Sequence, residues 1–162
     1  MYNQSTSLTD LGFIIHLRPY QETSAILEIF TAKHGRISCI RRGLRGRSNR
    51  RQFMPQAFIE LEIQLKNKRN KLMVDRINPT SGHSQLSLHH YRIGLYLNEL
   101  IYRLTQPEDP HFELYQSYQE TLKALNHSRP EIVLRPFELK LFSNIGYEIP
   151  FHLLTNAPFH AY

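Results

Sequence analysis

The sequence predicts an α+β protein in which a five-stranded β-barrel is followed by an α-helical domain. Three observations support this prediction. Short apolar segments, one of them with a clear period of two, fill the first half of the chain, and a segment rich in turn-forming residues follows at positions 78–85. Beyond it the apolar residues recur at intervals of three and four. Residues 1–80 therefore form one predicted domain, and residues 81–162 form the other.

Five strands are predicted in the first half, at LGFIIHL (11–17), SAILEIFT (24–31), RISCIRR (36–42), AFIELEIQL (57–65) and KLMVDRI (71–77). The fourth alternates polar and apolar residues, which is typical of a half-buried strand. Connecting segments of hairpin length join the first three strands to one another and the fourth to the fifth. About fourteen residues separate the third strand from the fourth. Five short strands with this excursion predict an OB-fold, and an SH3-like barrel is the competing geometry.

Three helices are predicted in the second half, at residues 84–106, 110–127 and 130–146. Ser84 or Ser87 is positioned to cap the first helix, and Pro110 suits the start of the second. Gly146 is placed as the residue that follows the end of the third helix. Pro136 lies within the third helix and removes a backbone donor, so this helix is predicted to be kinked or to start late.

The positive charge lies entirely in the first half. The net charge is +6, but residues 1–80 carry fourteen Lys and Arg against six Asp and Glu, a net charge of +8, and the rest of the chain carries −2. This asymmetry predicts a basic module that meets nucleic acid or anionic lipid, joined to a module with another role. The sequence has neither an apolar run of transmembrane length nor the pattern of a secretory signal, so we expect a cytoplasmic protein without membrane contact.

An arginine-rich stretch, RRGLRGRSNRRQ at residues 41–52, is the strongest functional signal. Arginine donates two hydrogen bonds in a fork to phosphate oxygens and stacks on bases, whereas ordinary surface loops mix charges of both signs. Seven arginines within this stretch or shortly before it are candidate nucleic-acid contacts: Arg36, Arg41, Arg42, Arg45, Arg47, Arg50 and Arg51.

A second basic site is predicted in the hairpin between strands four and five. It consists of Lys66, Lys68, Arg69 and Lys71. In an OB-fold this loop and the loop after strand one flank the ligand-binding face. The loop after strand one offers Arg18 for a phosphate and Tyr20 as a stacking platform for a base, with a lid over the core as the alternative role of Tyr20.

No catalytic constellation is visible, so the chain is predicted not to be an enzyme. It has no Ser–His–Asp arrangement, Gly-rich phosphate loop or HExxH motif. The cluster of His83, His89 and His90 is not paired with cysteines, and the adjacent His89 and His90 point to different helix faces, so they do not easily complete the three or four ligands of a zinc site; no metal or other cofactor is expected. Cys39 is the only cysteine and, in an apolar strand, is predicted to be a buried thiol.

Several segments together resemble the RecO family of bacterial recombination mediators. FIIHLRPYQETSAILEIFTAKHGRISCIRRGLR is similar to the opening of that family, with an apolar strand, the R-P-Y-x-E-T-S element and the H-G-R turn. QAFIELEIQL, YLNELIYRL, FELYQSYQETLKAL and LRPFELKLFSNIGYE continue the resemblance in order, over about residues 11–150. Family members run further than this chain, and some carry a Cys-based zinc site that has no counterpart here. The helical domain is therefore expected to be incomplete relative to the family.

The resemblance implies an OB-fold and a helical domain in a cytoplasmic, nucleoid-associated DNA repair protein. Such proteins bind single- and double-stranded DNA, anneal complementary strands and, with RecR, load RecA onto DNA coated by the single-stranded DNA-binding protein (SSB). Arg135 matches the family position associated with the acidic C-terminal tail of SSB, while Pro136 stands where a second arginine is frequent.

Two other hypotheses remain open from the residues. The first is an RNA-binding OB-fold protein, since phosphate contacts do not distinguish the two sugars, and a competition titration with matched DNA and RNA strands separates it from a DNA binder. The second is a metal-dependent nuclease, which loss of intact labelled DNA on addition of magnesium or zinc would support.

Overall fold

The computed structural model describes residues 7–43, 57–68, 70–80 and 86–147. Five strands precede three helices, which confirms the predicted α+β class. The strands are β1 Ser7–Tyr20, β2 Ser24–Thr31, β3 Gly35–Arg41, β4 Leu61–Lys68 and β5 Lys71–Pro79. A 3-10 turn at Leu88–His90 leads into the helices α1 Tyr91–Leu104, α2 Phe112–Leu125 and α3 Pro130–Asn144.

The strands form a closed barrel in the order β1-β2-β3-β5-β4. The first strand is long enough to pair with β4 through its beginning and with β2 through the rest, and a bulge lies between Ile14 and His16. The barrel closes where Ile40 of β3 meets Met73 of β5 in parallel. This closed five-stranded arrangement confirms the predicted OB-fold.

The fourth strand begins later than its alternating pattern predicts. It starts at Leu61 rather than at residue 57, because Phe58 has a φ of 67°, which an extended strand cannot accommodate. The ring of Phe58 turns towards the helices and lies edge-on to the ring of Tyr91, with centroids 5.0 Å apart. Phe58 is therefore a core residue, but it does not belong to the barrel strand.

In the part of the chain that the structure describes, two hydrophobic clusters form the core. The first fills the barrel, where Cys39 is buried among the strand residues and burial raises the pKa of its thiol to about 12, so the predicted buried thiol is confirmed. The second joins the barrel wall to the helices. Phe13 lies 5.0 Å from the ring centroid of Tyr118, and Phe30 lies 5.7 Å from that of Tyr115. Apolar residues of the barrel wall and of the helices thus form one continuous cluster in the described part of the chain, which joins the two predicted domains.

The third helix starts at Pro130 and runs through Pro136 without a break, so the prediction of a late start is wrong. Pro136 is exposed at the helix surface, where the lost hydrogen bond faces solvent. Gly146 follows the helix with a φ of 88°, which confirms its predicted role at the C-terminal end. Within the described residues, none of the helices combines the length and the apolar character needed to cross a membrane.

A buried hydrogen bond links α1 to α2. The fully buried hydroxyl of Tyr118 donates to Oδ1 of Asn98 at 2.5 Å, and burial raises the pKa of this hydroxyl, so it remains a donor. Replacing Tyr118 by phenylalanine is expected to lower the free energy of unfolding by about 1–3 kcal/mol, because the Asn98 oxygen would stay buried without its donor. Urea unfolding of both proteins measures the loss.

Tyr96→Phe provides the control for this prediction. The hydroxyl of Tyr96 also donates to an acceptor, Oε1 of Glu138 at 2.7 Å, but at an exposed position. Its removal is expected to change the free energy of unfolding by less than about 0.5 kcal/mol. Equal losses in the two variants would contradict a special role for the buried pair.

Candidate nucleic-acid interface

A cleft of about 390 Å³ opens at one end of the barrel. The turn after β1, the end of β3 and the β4–β5 hairpin meet there. It is lined by Tyr20, Gln21, Ile40, Arg42, Lys68, Lys71 and Met73. Four of these residues are predicted nucleic-acid contacts from three separate segments of the sequence: Tyr20, Arg42, Lys68 and Lys71. The fold therefore brings three cations and one aromatic ring to a single concave surface, which we call the basic cleft.

The hairpin places its two lysines side by side. Lys68 ends β4 and stands directly opposite Lys71, the first residue of β5, so both side chains project to the same face. Asn70 completes the tight turn with a φ of 58°, which asparagine tolerates better than most residues. Like charges directly opposite each other on a sheet destabilise it, and an anion bound between them would remove that repulsion.

Tyr20 lines the basic cleft beside Lys71. It ends β1, is half-buried and belongs to neither hydrophobic cluster. The Nζ of Lys71 lies 3.5 Å from its hydroxyl oxygen and 5.9 Å from its ring centroid. An aromatic ring beside a cation is the combination that holds a base and its phosphate in single-strand binding proteins.

The outer face of the barrel continues this surface. Arg18 is exposed on β1 and is paired with Ile26 of β2, which in turn is paired with Ile40 of β3. Residues directly opposite each other on adjacent strands point to the same face. Arg18 therefore lies on the same outer face as Ile40, one of the residues that line the basic cleft.

Two further predicted cations lie near the cleft but are partly engaged within the protein. Lys66 forms an ion pair with Asp75 at 2.9 Å. Arg41 is half-buried, and its Nη1 donates to the backbone oxygen of Asp75 at 3.5 Å. Lys66 thus pairs with the Asp75 carboxylate, while Arg41 contacts only the backbone of the same residue and keeps its positive charge unpaired by that carboxylate.

Arg36 is held in internal contacts. Its side chain is 12% exposed, and Nη1 lies 3.3 Å from the Glu28 carboxylate. Nη2 donates to the backbone oxygen of Thr105 at 3.2 Å, and the guanidinium lies 5.0 Å from the ring centroid of Tyr102. Arg36 thus connects β3 to the end of α1 and is engaged within the protein rather than presented to a ligand.

Five of the predicted contacts lie outside the described residues. They are Arg45, Arg47, Arg50, Arg51 and Arg69. Four of them lie between β3 and β4 in the sequence and Arg69 lies between β4 and β5, and their roles remain predictions.

Arg135 lies far along the sequence from the barrel, on α3. Its side chain is 79% exposed, and Nη1 lies 2.6 Å from Oε2 of Glu138. The other oxygen of Glu138 accepts the hydrogen bond from Tyr96 and so connects α3 to α1. Ile132 and Leu139 of α3 are also exposed, which gives this surface one cation and apolar neighbours on the same helix.

Sequence reasoning missed the apolar floor of the basic cleft. Ile40 could have been found, because it lies two residues before Arg42 in an extended segment, so the two side chains face the same side. Met73 could not, since its place depends on the β3–β5 pairing. In the described part of the chain, no group of three or more His, Cys, Asp and Glu side chains is arranged to hold a metal ion.

Comparison with known proteins places both halves of the chain in one family. The family model described as Recombination protein O N terminal matches residues 6–80, and the one described as Recombination protein O C terminal matches residues 85–152. Curated relatives named DNA repair protein RecO include that of Coxiella burnetii, 36% identical over 139 residues, which cover 86% of this chain and 60% of the relative. That of Stutzerimonas stutzeri is 37% identical over 137 residues, 84% of this chain and 56% of the relative.

A third such relative, from Pseudomonas paraeruginosa, is 38% identical over 136 residues, which cover 83% of this chain and 57% of the relative. The chain thus spans 56% to 60% of the length of these three relatives.

Proposed function

Since the chain belongs to the RecO family, we propose that it is a recombination mediator in DNA repair, which binds single- and double-stranded DNA and promotes annealing of complementary strands. The observation that carries this proposal is the basic cleft, where Tyr20, Arg42, Lys68 and Lys71 line one concave surface of an OB-fold. Comparable grooves in single-strand binding proteins combine cations along the backbone with rings on which bases stack.

The cations act on phosphate, so binding is largely independent of sequence. The phosphates are neutralised by Arg42, Lys68 and Lys71, and Arg18 extends this line of phosphate contacts along the barrel. Each neutralised phosphate releases counterions, which makes binding sensitive to salt. Two strands whose charge is screened repel each other less, and annealing follows without a covalent step.

A direct test of this function is annealing of two complementary labelled oligonucleotides. The wild-type protein is expected to raise the annealing rate, both on bare strands and on strands coated with SSB. Fluorescence quenching between labels on the two strands follows the reaction. A rate equal to that without protein would overturn the proposed activity.

The helical domain supplies the contact with partners in this proposal. With RecR, the protein would promote RecA loading on SSB-coated DNA, and Arg135 would receive the acidic SSB tail. The exposed guanidinium of Arg135 and the exposed Ile132 and Leu139 support this role, because a charged group beside apolar side chains suits a peptide that carries both.

Arg135→Ala is expected to weaken binding of a synthetic SSB-tail peptide about tenfold, which corresponds to about 1.4 kcal/mol. Glu138→Gln is expected to strengthen it, because Glu138 is the carboxylate that competes for Arg135 at 2.6 Å. Isothermal titration calorimetry measures both constants. Arg129→Ala, at an exposed position just before α3, is the control and should bind as the wild type does. Wild-type affinity in Arg135→Ala would contradict the assignment.

A further inference from the structure

We propose that His16 and Tyr102 form a second base-stacking platform at the junction of the barrel and the helices, reached by a DNA strand that leaves the basic cleft along β1. This inference rests on the proposed function, because it extends the same binding path. It adds a site on a residue of the helical domain, where the charge pattern of the sequence gives no indication of DNA contact.

The first support is the direction of the side chains on β1. His16, Arg18 and Tyr20 alternate along the strand beyond its bulge, so all three project from the same face. His16 and Arg18 are exposed, and Tyr20 lines the basic cleft. A ring, a cation and a second ring therefore follow one another along a single strand.

The second support is the geometry at His16. Its imidazole stacks on the Tyr102 ring with centroids 5.1 Å apart and an angle of 19° between the planes. One face of the imidazole is thus covered while the residue as a whole remains exposed. The guanidinium of Arg36, 5.0 Å from the Tyr102 centroid, holds the tyrosine from within the protein. A pre-oriented ring that is open to solvent can accept a nucleobase at little conformational cost.

The third support is that the carboxylates near the platform are paired with arginines. Glu28 is paired with His16 in the β1–β2 ladder, but its carboxylate is buried and lies 3.3 Å from Nη1 of Arg36. On α1, Glu99 lies 2.7 Å from Nε of Arg103. Both carboxylates have cationic partners, so the repulsion they exert on a phosphate beside the platform is reduced.

The spacing of the two platforms suits a short run of nucleotides. Tyr20 lies four residue steps beyond His16 on an extended strand, a distance of about 13 Å at about 3.3 Å per step. This corresponds to about four nucleotides at the duplex spacing of about 3.4 Å per nucleotide, and to fewer in a stretched strand. Arg18 lies midway between the two platforms, where it can neutralise an intervening phosphate.

Photocross-linking tests the platform directly. A series of oligothymidines, each with one 5-iododeoxyuridine at a different position, is irradiated with the wild-type protein and analysed by mass spectrometry. We expect cross-links to Tyr20 from one position and cross-links to His16 or Tyr102 from positions about two to four nucleotides away. Cross-links to Tyr20 without any to His16 or Tyr102 would overturn the platform and leave the proposed function standing. Absence of DNA binding in every arm would overturn both.

Affinity measurements separate stacking from simple packing between the barrel and α1. His16→Ala is expected to weaken binding of a long oligothymidine about tenfold, in line with base stacking, and to leave binding of a strand that fills only the cleft unchanged. His16→Phe should retain most of the affinity because it keeps a ring. His127→Ala, which removes an exposed histidine at the end of α2, is the matched control. Wild-type affinity of His16→Ala for the long strand would overturn the proposal.

Discussion

Replacing Arg42, Lys68 and Lys71 together by glutamate is expected to weaken binding to single-stranded DNA by at least about a hundredfold. Each lost contact with a phosphate costs on the order of 1 kcal/mol at a screened surface, and the three together about 3 kcal/mol. The introduced carboxylates add repulsion to this loss. Fluorescence anisotropy with a labelled oligothymidine at one fixed salt concentration measures the change.

The matched control reverses three cations elsewhere. Arg92, Lys123 and Arg129 are exposed in the helical half, and their replacement by glutamate changes the net charge by the same amount. If the position of the charge decides binding, this variant should lose much less affinity than the cleft variant. Equal losses would show that net charge alone attracts DNA and would contradict the location of the site.

Gly35→Ala is expected to lower the free energy of unfolding by about 4 kcal/mol or more, which is exceptional for a single substitution. Gly35 has a φ of 66°, and a Cβ there would lie 2.0 Å from the backbone oxygen of Asp109. The turn between β2 and β3 packs at this point on the segment between α1 and α2, where the Glu108 amide donates to the Arg36 oxygen at 2.9 Å. Because the backbone of Asp109 cannot rotate away from the added Cβ, the β2–β3 turn and the segment between α1 and α2 must separate.

Gly146→Ala isolates the conformational part of this effect. Gly146 has a φ of 88°, but a Cβ there would meet nothing within 4 Å. Its replacement should therefore cost only the left-handed backbone penalty, about 1–2 kcal/mol. Urea unfolding of both variants gives the difference. Equal costs would contradict a close contact between the barrel and the helical segment at Gly35.

The barrel could be predicted from the sequence because its strands carry local signals. Alternation and turn residues located all five strands, and the long separation in sequence between the third and the fourth was evident from the spacing of these signals. The start of β4 could not be predicted, since Phe58 fits the alternating pattern and leaves the strand only because its ring packs against α1. Tertiary packing overrode a local pattern there.

The candidate site could be predicted only in part. Charge and turn position identified Arg42, Lys68 and Lys71, since cations at strand ends are visible in a sequence. The same reasoning selected Arg36, which the fold instead engages with Glu28 and Thr105. Whether a cation faces solvent or an internal carboxylate depends on strand pairing and on a helix far along the chain, and neither is encoded in the local pattern.

The salt dependence of DNA binding tests the central claim, that phosphates occupy the basic cleft. The affinity for an oligothymidine is measured from low to high salt for the wild type and for the variant in which Arg42, Lys68 and Lys71 are replaced by glutamate. Each phosphate contact on a single strand contributes about −0.7 to the slope of log K against log salt, so the variant should have a slope shallower by about 2. Parallel lines for the two proteins would contradict the claim, because the cleft cations would then not neutralise phosphates.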